Sequence, residues 1–117
     1  MKITIVGSGY VGLVSGACLA DVGNHVVCMD VDAEKIDCLK SGRIPIYEPG
    51  LEDLVAKNTG RGRLSFTTDV PGAIRAADVV FIAVGTPAAE DGSTDLRYVE
   101  AVAREIGRCL ESYTVVV

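Results

Sequence analysis

The sequence predicts an α/β fold in which helices cover both faces of a doubly wound parallel sheet. Short runs rich in Val and Ile alternate with segments of helical period, and this alternation is typical of parallel β–α–β units. A length of 117 residues and an apolar content of 49% suit one compact domain with its own core. No linker rich in Pro, Gly or Ser divides the chain, so residues 1–117 are predicted to form one domain.

Five strands and five helices are predicted along the chain. The strands are residues 2–6, 25–30, 64–67, 78–84 and 114–117. The helices are residues 10–22, 33–41, 51–57, 71–77 and 95–111. Right-handed crossovers and the doubly wound pattern favour the strand order 3-2-1-4-5. They also predict a ligand crevice where strands 1 and 4 diverge at their carboxyl ends.

The predicted helix 95–111 has the clearest apolar stripe. Its apolar side chains recur at steps of three and four residues, and they are Leu96, Val99, Ala103, Ile106 and Leu110. This spacing predicts that they face the sheet. Glu100, Arg104 and Arg108 are predicted to lie on the opposite face of the helix.

Charge and cysteine usage exclude several classes of protein. The net charge is −5 and no block of Lys or Arg occurs, which argues against nucleic acid or an anionic membrane as a partner. The apolar stretch 3–20 is interrupted by four glycines, unlike an export signal, so a cytoplasmic location is expected. Four cysteines without a C-x-x-C pair predict reduced, mostly buried thiols and no metal site.

A glycine turn follows the first strand and opens the first helix. It reads Gly7-Ser8-Gly9-Tyr10-Val11-Gly12, which is a G-x-G-x-x-G motif. In this pattern Gly7 permits the sharp turn, Gly9 allows a pyrophosphate to approach the backbone, and Gly12 permits close helix packing. Free amides at the helix start would then face the phosphates. The motif in this context predicts a dinucleotide site.

An acidic residue at the end of the second strand supports this prediction. Asp30 lies 18 residues after Gly12, where a carboxylate can accept hydrogen bonds from the adenosine ribose. Asp32 competes for this role, but it fits the N-cap of the following helix better. A carboxylate at Asp30 would repel the 2′-phosphate of NADP, so NAD is favoured. Lys35 is expected beside the ribose or paired with Asp30.

Four segments carry a family resemblance. G-S-G-Y-V-G, D-V-D-A-E-K, I-P-I-Y-E-P-G-L and V-G-T-P occur in this order, and T-D-L-R-Y-V-E opens the last helix. In these segments the chain resembles the N-terminal part of the UDP-glucose/GDP-mannose 6-dehydrogenase family. The resemblance implies a Rossmann-type domain that binds NAD and that is truncated here after the fifth strand. The candidate cofactor contacts are Gly7, Gly9, Tyr10, Val11, Gly12, Asp30, Lys35, Gly85, Thr86 and Pro87.

The resemblance also implies what this chain does not contain. Family members oxidise the C6 alcohol of a nucleotide sugar to a carboxylate with two NAD, through a covalent intermediate on a cysteine. None of Cys18, Cys28, Cys38 and Cys109 has the flanks of that cysteine. We therefore expect no catalytic residue here, an inactive fragment when alone, and a substrate domain outside this chain. A homo-oligomer is expected for the full-length protein.

Two alternatives stay open for the activity. The resemblance of residues 47–51 to UDP-glucose 6-dehydrogenases favours UDP-glucose, oxidised to UDP-glucuronate, as the substrate. GDP-mannose is the close competitor. A stand-alone, non-catalytic module that senses NAD is a hypothesis of a different class.

Two further loops have a plain structural interpretation beside a functional one. Tyr47-Glu48-Pro49-Gly50 is either a rigid turn into the next helix or a turn that also borders the site. Residues 90–93 contain Asp91-Gly92, which is typical of a turn and marks a possible flap.

Overall fold

A computed structural model of the chain describes all residues, 1–117. Its centre is one five-stranded parallel sheet in the order β3-β2-β1-β4-β5. The strands are β1 (Lys2–Val6), β2 (His25–Met29), β3 (Leu64–Thr67), β4 (Val79–Ile82) and β5 (Val115–Val116). Both the predicted fold class and the predicted strand order are confirmed.

Five helices connect the strands. They are α1 (Tyr10–Asp21), α2 (Ala33–Lys40), α3 (Leu51–Gly60), α4 (Val70–Arg75) and α5 (Arg97–Cys109). Asp32 and Asp69 cap the starts of α2 and α4 through their carboxylates, which accept backbone N–H groups of the first turn. The predicted N-cap role of Asp32 is therefore confirmed. No helix is both long and apolar enough to cross a membrane.

The sheet separates two apolar clusters. The larger one, of 13 buried residues, lies between the sheet and α1, α2 and α3, and it includes Ile5, Leu13 and Ile36. The smaller one, of 8 buried residues, lies under α4 and α5 and includes Val80 and Ile106. Burial of these aliphatic side chains on both faces holds β1 at the centre of the sheet. The carboxyl ends of the strands are thereby fixed side by side.

The apolar stripe predicted for α5 was partly wrong. Ile106 is buried as predicted and Val99 is half-buried, but Leu96, Ala103 and Leu110 are exposed. The buried face runs instead through Val102, Ile106 and Cys109. Val102 and Cys109 belong to the same apolar cluster as Ala73 and Ile74 of α4, so the buried face of α5 lies about one residue away from the predicted stripe.

The cysteines divide between core and surface. Cys28 and Cys109 are buried as predicted, whereas Cys38 is half-buried and Cys18 is exposed. Cys18 lies on the side of α1 that faces away from the sheet, since the buried residues of that helix are Gly12, Leu13, Gly16, Ala17 and Ala20. All four thiols are free.

The outer edge of β5 is expected to promote self-association of this chain. β5 pairs only with β4, and its two valines remain 42% (Val115) and 44% (Val116) exposed, with the following Val117 60% exposed. An unpaired apolar edge is a template for pairing with another chain. Light scattering across a concentration series should show dimers or larger species, and Val116→Lys should reduce them. A strict monomer at high concentration would contradict this expectation.

Candidate cofactor site

A cavity of about 880 Å³ opens at the carboxyl ends of the strands, between β1 and β4. Its floor and one side are formed by the glycine turn and the end of β2, and its other side by the segment after β4 and by α5. The lining includes seven of the candidate residues: Gly7, Gly9, Asp30, Lys35, Gly85, Thr86 and Pro87. The crevice predicted at the divergence of strands 1 and 4 is therefore present.

Gly7 and Gly12 make the sharp turn from β1 into α1 possible. Gly7 has φ +105°, and a Cβ there would lie 2.5 Å from the carbonyl oxygen of Ala83. A Cβ on Gly12 would lie 1.9 Å from the carbonyl oxygen of Gly7 and 3.3 Å from Cγ2 of Ile5. Only glycine fits at either position, because the strand, the turn and the helix touch one another there.

Gly16 continues this close contact along α1. A Cβ on it would lie 2.6 Å from Sγ of Cys28. The glycine spacing of the motif did not reveal this residue, although Gly16 was visible in the same helix. Gly7, Gly12 and Gly16 together allow α1 to lie directly on β1 and β2.

Gly9 differs from the other two glycines of the motif, because no atom lies within 4 Å of the place where its Cβ would be. Its φ of −75° and ψ of −161° are also open to other residues. The fold itself therefore does not require glycine at this position. The empty space lies in the lining of the cavity, where a ligand can approach the backbone.

The start of α1 presents unpaired backbone donors at this place. The first amide of the helix to meet a backbone acceptor is that of Leu13, which donates to Gly9 O at 2.9 Å. The amides of Tyr10, Val11 and Gly12 donate to no backbone carbonyl, and no side chain caps the helix. Such a terminus, with its positive dipole end, suits a phosphate group.

Asp30 is held in place by four hydrogen bonds. Its Oδ2 accepts from Ser8 N at 3.0 Å, from Ser8 Oγ at 2.9 Å and from Lys35 Nζ at 3.5 Å. Its Oδ1 accepts from Asp32 N at 3.0 Å. A carboxylate has about four acceptor positions, two on each oxygen. Oδ1 therefore retains capacity for a further donor at the end of β2.

Ser8 is a site residue that the sequence did not reveal. It is 1% exposed, and it bridges the glycine turn and Asp30 through both its amide and its hydroxyl. Ser8 occupies a variable position of the motif. The signal that could have found it is a small hydroxyl side chain in the glycine turn together with a carboxylate at the end of the next strand. Lys35 was predicted beside the ribose or paired with Asp30, and its pairing with Asp30 is confirmed.

These contacts keep Asp30 ionised. Burial raises the pKa of its carboxyl, but the hydrogen bonds from Asp32 and Ser8 and the charge of Lys35 outweigh burial, so the pKa is lower than the ordinary 3.8. Because the folded-state pKa is depressed, the stabilising contribution of the carboxylate is complete above the ordinary pKa. It is lost only as the pH falls through the lower folded-state value. Asp30 is therefore an anion throughout the neutral range.

The opposite wall of the cavity is apolar and combines three elements. Val70 and Ile74 of α4 face Tyr98 and Val102 of α5, with Glu105 at the rim. The segment 83–87 joins these walls to the end of β4. The sequence analysis did not assign these α4 and α5 residues to the site. Apolar side chains on two consecutive helices, which follow the third and fourth strands of the chain, are the signal that could have found them.

Three of the candidate residues do not line the cavity. Gly12 is buried beneath the turn, and Tyr10 and Val11 are 51% and 65% exposed on the first turn of α1. The side chains of Tyr10 and Val11 face solvent, and what the three residues offer a ligand is their backbone amides, which donate to no backbone carbonyl. The Tyr10 hydroxyl donates instead to Oε2 of Glu48 at 2.5 Å.

The remaining predicted loops have simple structures. Residues 88–94 form a small hairpin in which Ala88 and Thr94 pair and Gly92 takes φ +85°. The predicted Asp91-Gly92 turn is therefore confirmed. Gly50 takes φ +83° immediately before α3, so the segment before it is also a turn, as one of its two interpretations expected.

No cysteine lines the cavity. Cys28 lies in β2, with its thiol on the face of the sheet that α1 covers, and burial raises the pKa of this thiol to about 12. A thiol of that pKa carries almost no nucleophilic thiolate at neutral pH. The groups of the cavity can bind and orient a ligand, but they include no nucleophile of this kind.

Comparison with known proteins identifies relatives of similar sequence. UDP-glucose 6-dehydrogenase of Rhizobium meliloti (strain 1021) is 61% identical over 118 residues, which cover 100% of this chain and 27% of that protein. UDP-glucose 6-dehydrogenase TuaD of Bacillus subtilis (strain 168) is 59% identical over 116 residues, covering 99% of this chain and 25% of that protein. This chain thus spans about a quarter of the length of these curated relatives.

The fold has a similar counterpart among solved structures. The ternary complex of GDP-mannose dehydrogenase from Pseudomonas aeruginosa superposes with a TM-score of 0.90 at 49% identity, covering 93% of this chain and 25% of that protein. A family model described as the NAD binding domain of the UDP-glucose/GDP-mannose dehydrogenase family matches residues 1–117. The chain therefore belongs to the UDP-glucose/GDP-mannose dehydrogenase family and corresponds to its NAD binding domain.

Proposed function

We propose that this chain is the cofactor-binding part of an NAD-dependent UDP-glucose 6-dehydrogenase, which oxidises the C6 alcohol of UDP-glucose to the carboxylate. The observation that carries the proposal is the glycine turn at the helix start, combined with the anionic Asp30 at the end of β2. The choice of UDP-glucose is supported by identities of 59% and 61% to two UDP-glucose 6-dehydrogenases, against 49% to the GDP-mannose enzyme.

The residues present fit NAD. The unpaired amides of Tyr10, Val11 and Gly12 and the empty space at Gly9 suit its pyrophosphate. Asp30 keeps acceptor capacity for the ribose hydroxyls, and Lys35 holds the carboxylate from the other side. Gly85, Thr86 and Pro87 border the part of the cavity beyond β4. We assign these residues, with Gly7 beneath the turn, to the cofactor site.

NAD supplies a hydride acceptor when bound, and the residues of this chain supply its binding site. Asp30 orients the ribose and the amides of α1 neutralise phosphate charge, which together fix the cofactor relative to the strand ends. We assign the nucleophile to a part of the protein outside residues 1–117, because no cysteine of this chain lines the cavity, and by resemblance to the family we assign the base there as well. Recognition of the nucleotide sugar, a homo-oligomeric full-length enzyme and a cytoplasmic location belong to the same proposal.

We expect the chain to bind NAD in preference to NADP, and Asp30→Ala to weaken NAD binding by about tenfold or more. A hydrogen bond to a charged group contributes about 1.5 to 3 kcal/mol, and 1.4 kcal/mol corresponds to a factor of ten. The carboxylate also repels a 2′-phosphate, so the same change should narrow the difference between NAD and NADP. Calorimetric titration of both cofactors measures both effects.

Asp37→Ala is the matched control, since Asp37 is an exposed acid on α2 that does not line the cavity. It should leave both affinities unchanged. Equal affinities of the parent chain for NAD and NADP would contradict the assignment of Asp30. For the substrate, the longer protein should form NADH with UDP-glucose, and a preference for GDP-mannose would overturn that part of the proposal.

A further inference from the structure

We infer that Glu48 is a positioning residue of the NAD site, which acts by holding Tyr10 and with it the first turn of α1. The inference deepens the proposed function and rests on the cofactor site assigned above. Its basis is a hydrogen bond between two sequence segments 38 residues apart, in which the Tyr10 hydroxyl donates to Oε2 of Glu48 at 2.5 Å. Neither residue lines the cavity, so the contact does not belong to the cofactor's own surface.

The first turn of α1 has few restraints of its own. Gly9 forms no side-chain cap, and no acidic residue lies in the first turn. Within that turn, Val11 and Gly12 have no side-chain hydrogen-bonding groups. The Tyr10 hydroxyl is therefore the sole side-chain group of the turn that can tie it to another segment. The same turn carries the unpaired amides that the proposed site assigns to the pyrophosphate.

Glu48 is itself held from both sides. Ile44 and Ile46, which precede it, pack partly buried against the larger apolar cluster. After it, Leu51 N donates to Glu48 O at 3.1 Å, and Leu51 is 3% exposed in the core. The loop between α2 and α3 is thus a fixed support rather than a free segment. A carboxylate on such a support can restrain a phenol that an isolated surface glutamate could not.

The neighbouring Tyr47 shows that the contact is specific to one side chain of the loop. Tyr47 is 93% exposed and makes no hydrogen bond through its hydroxyl, whereas half-buried Glu48 faces Tyr10. The hydrogen bond and the negative charge of Glu48 also raise the pKa of the Tyr10 phenol above its ordinary value. The Y-E-P-G segment is therefore a structural turn that also supports the cofactor site.

The test is a double-mutant cycle on NAD affinity, measured by calorimetry with Tyr10→Phe, Glu48→Ala and the double variant. Each single change should weaken NAD binding by about three- to tenfold, as the loss of one hydrogen bond implies. The double variant should be no weaker than either single variant, because both remove the same contact. Glu48→Gln retains an acceptor for the phenol and should restore most of the affinity.

Tyr47→Phe and Glu52→Ala are the matched controls, since they remove a hydroxyl and a carboxylate nearby that have no such partner. Neither should change NAD affinity, and thermal unfolding should stay close to the parent in all variants. A spectrophotometric pH titration of the tyrosines should show the Tyr10 pKa returning to its ordinary range in Glu48→Ala.

Unchanged affinity in both single variants, or losses that add in the double variant, would overturn the role of Glu48. Gly9→Val in the same assay separates this failure from failure of the site. If Gly9→Val abolishes NAD binding while Tyr10→Phe does not, the site is correct and the positioning role is wrong. If Gly9→Val also binds normally, the site itself is misplaced.

Discussion

Gly12→Ala is expected to destabilise the fold strongly. The added Cβ would lie 1.9 Å from the carbonyl oxygen of Gly7, which is backbone and has no rotamer to change. The turn and α1 would have to separate, and α1 would lose its fit on the sheet. Overpacking costs about 1 to 3 kcal/mol and occasionally more, and a backbone clash belongs at the upper end. A loss of about 3 kcal/mol should lower the Tm by about 10 °C or more.

Gly107→Ala is the control for this experiment. Gly107 also lies inside a helix, α5, but nothing is within 4 Å of the place where its Cβ would be. The same substitution should there stabilise the protein by about 0.5 to 1 kcal/mol, because glycine is a poor helix former. Thermal unfolding of both variants measures the contrast. Similar Tm values for the two variants would contradict the close contact between Gly12 and Gly7.

Gly9→Val is expected to abolish NAD binding while leaving the fold intact. The space at this Cβ is empty and the backbone conformation is open to valine, so stability should change by no more than about 1 kcal/mol, the usual scale of an N-cap change. The isopropyl group would occupy the space through which a pyrophosphate reaches the amides of α1. A loss of at least about a hundredfold is expected, which corresponds to about 2.7 kcal/mol.

Calorimetry with NAD and thermal unfolding of the same preparation measure the two quantities together. Gly60→Val is the control, since Gly60 ends α3, has free space around its Cβ and does not line the cavity. It should bind NAD like the parent. Parental NAD affinity in Gly9→Val would exclude the glycine turn as the phosphate site.

Much of the fold could be predicted because the relevant signals are local. The strand before Gly7, the helix after it and the N-cap Asp32 each depend on neighbouring residues, and all three lie where they were predicted. The orientation of α5 could not be predicted in the same way. Two apolar stripes share Val99 and Ile106, and only contact with α4 decides between them.

The same distinction between local signals and long-range contacts applies to the candidate site. Asp30 and the segment 85–87 could be predicted, because strand-end positions in a doubly wound sheet meet at one crevice. Ser8 and Glu48 could not be predicted, since each is linked to the site by hydrogen bonds with a residue distant in sequence. Such contacts depend on distances between elements, which periodicity does not contain. The walls from α4 and α5 were missed for the same reason.

The hydrogen bonds around Asp30 have a consequence for the entropy of binding. Ser8, Asp32 and Lys35 fix the carboxylate by contacts made within the chain itself. Immobilising a free side chain on association costs about 0.5 to 1.5 kcal/mol. The Asp30 side chain is already ordered in the folded chain, so binding does not have to order it. The acceptor is thus preorganised, and the ordering penalty falls on the dinucleotide alone. Ser8→Ala would leave the Asp30 side chain less restrained, so that part of its ordering would take place on binding. The carboxylate assigned to the ribose would itself be unchanged.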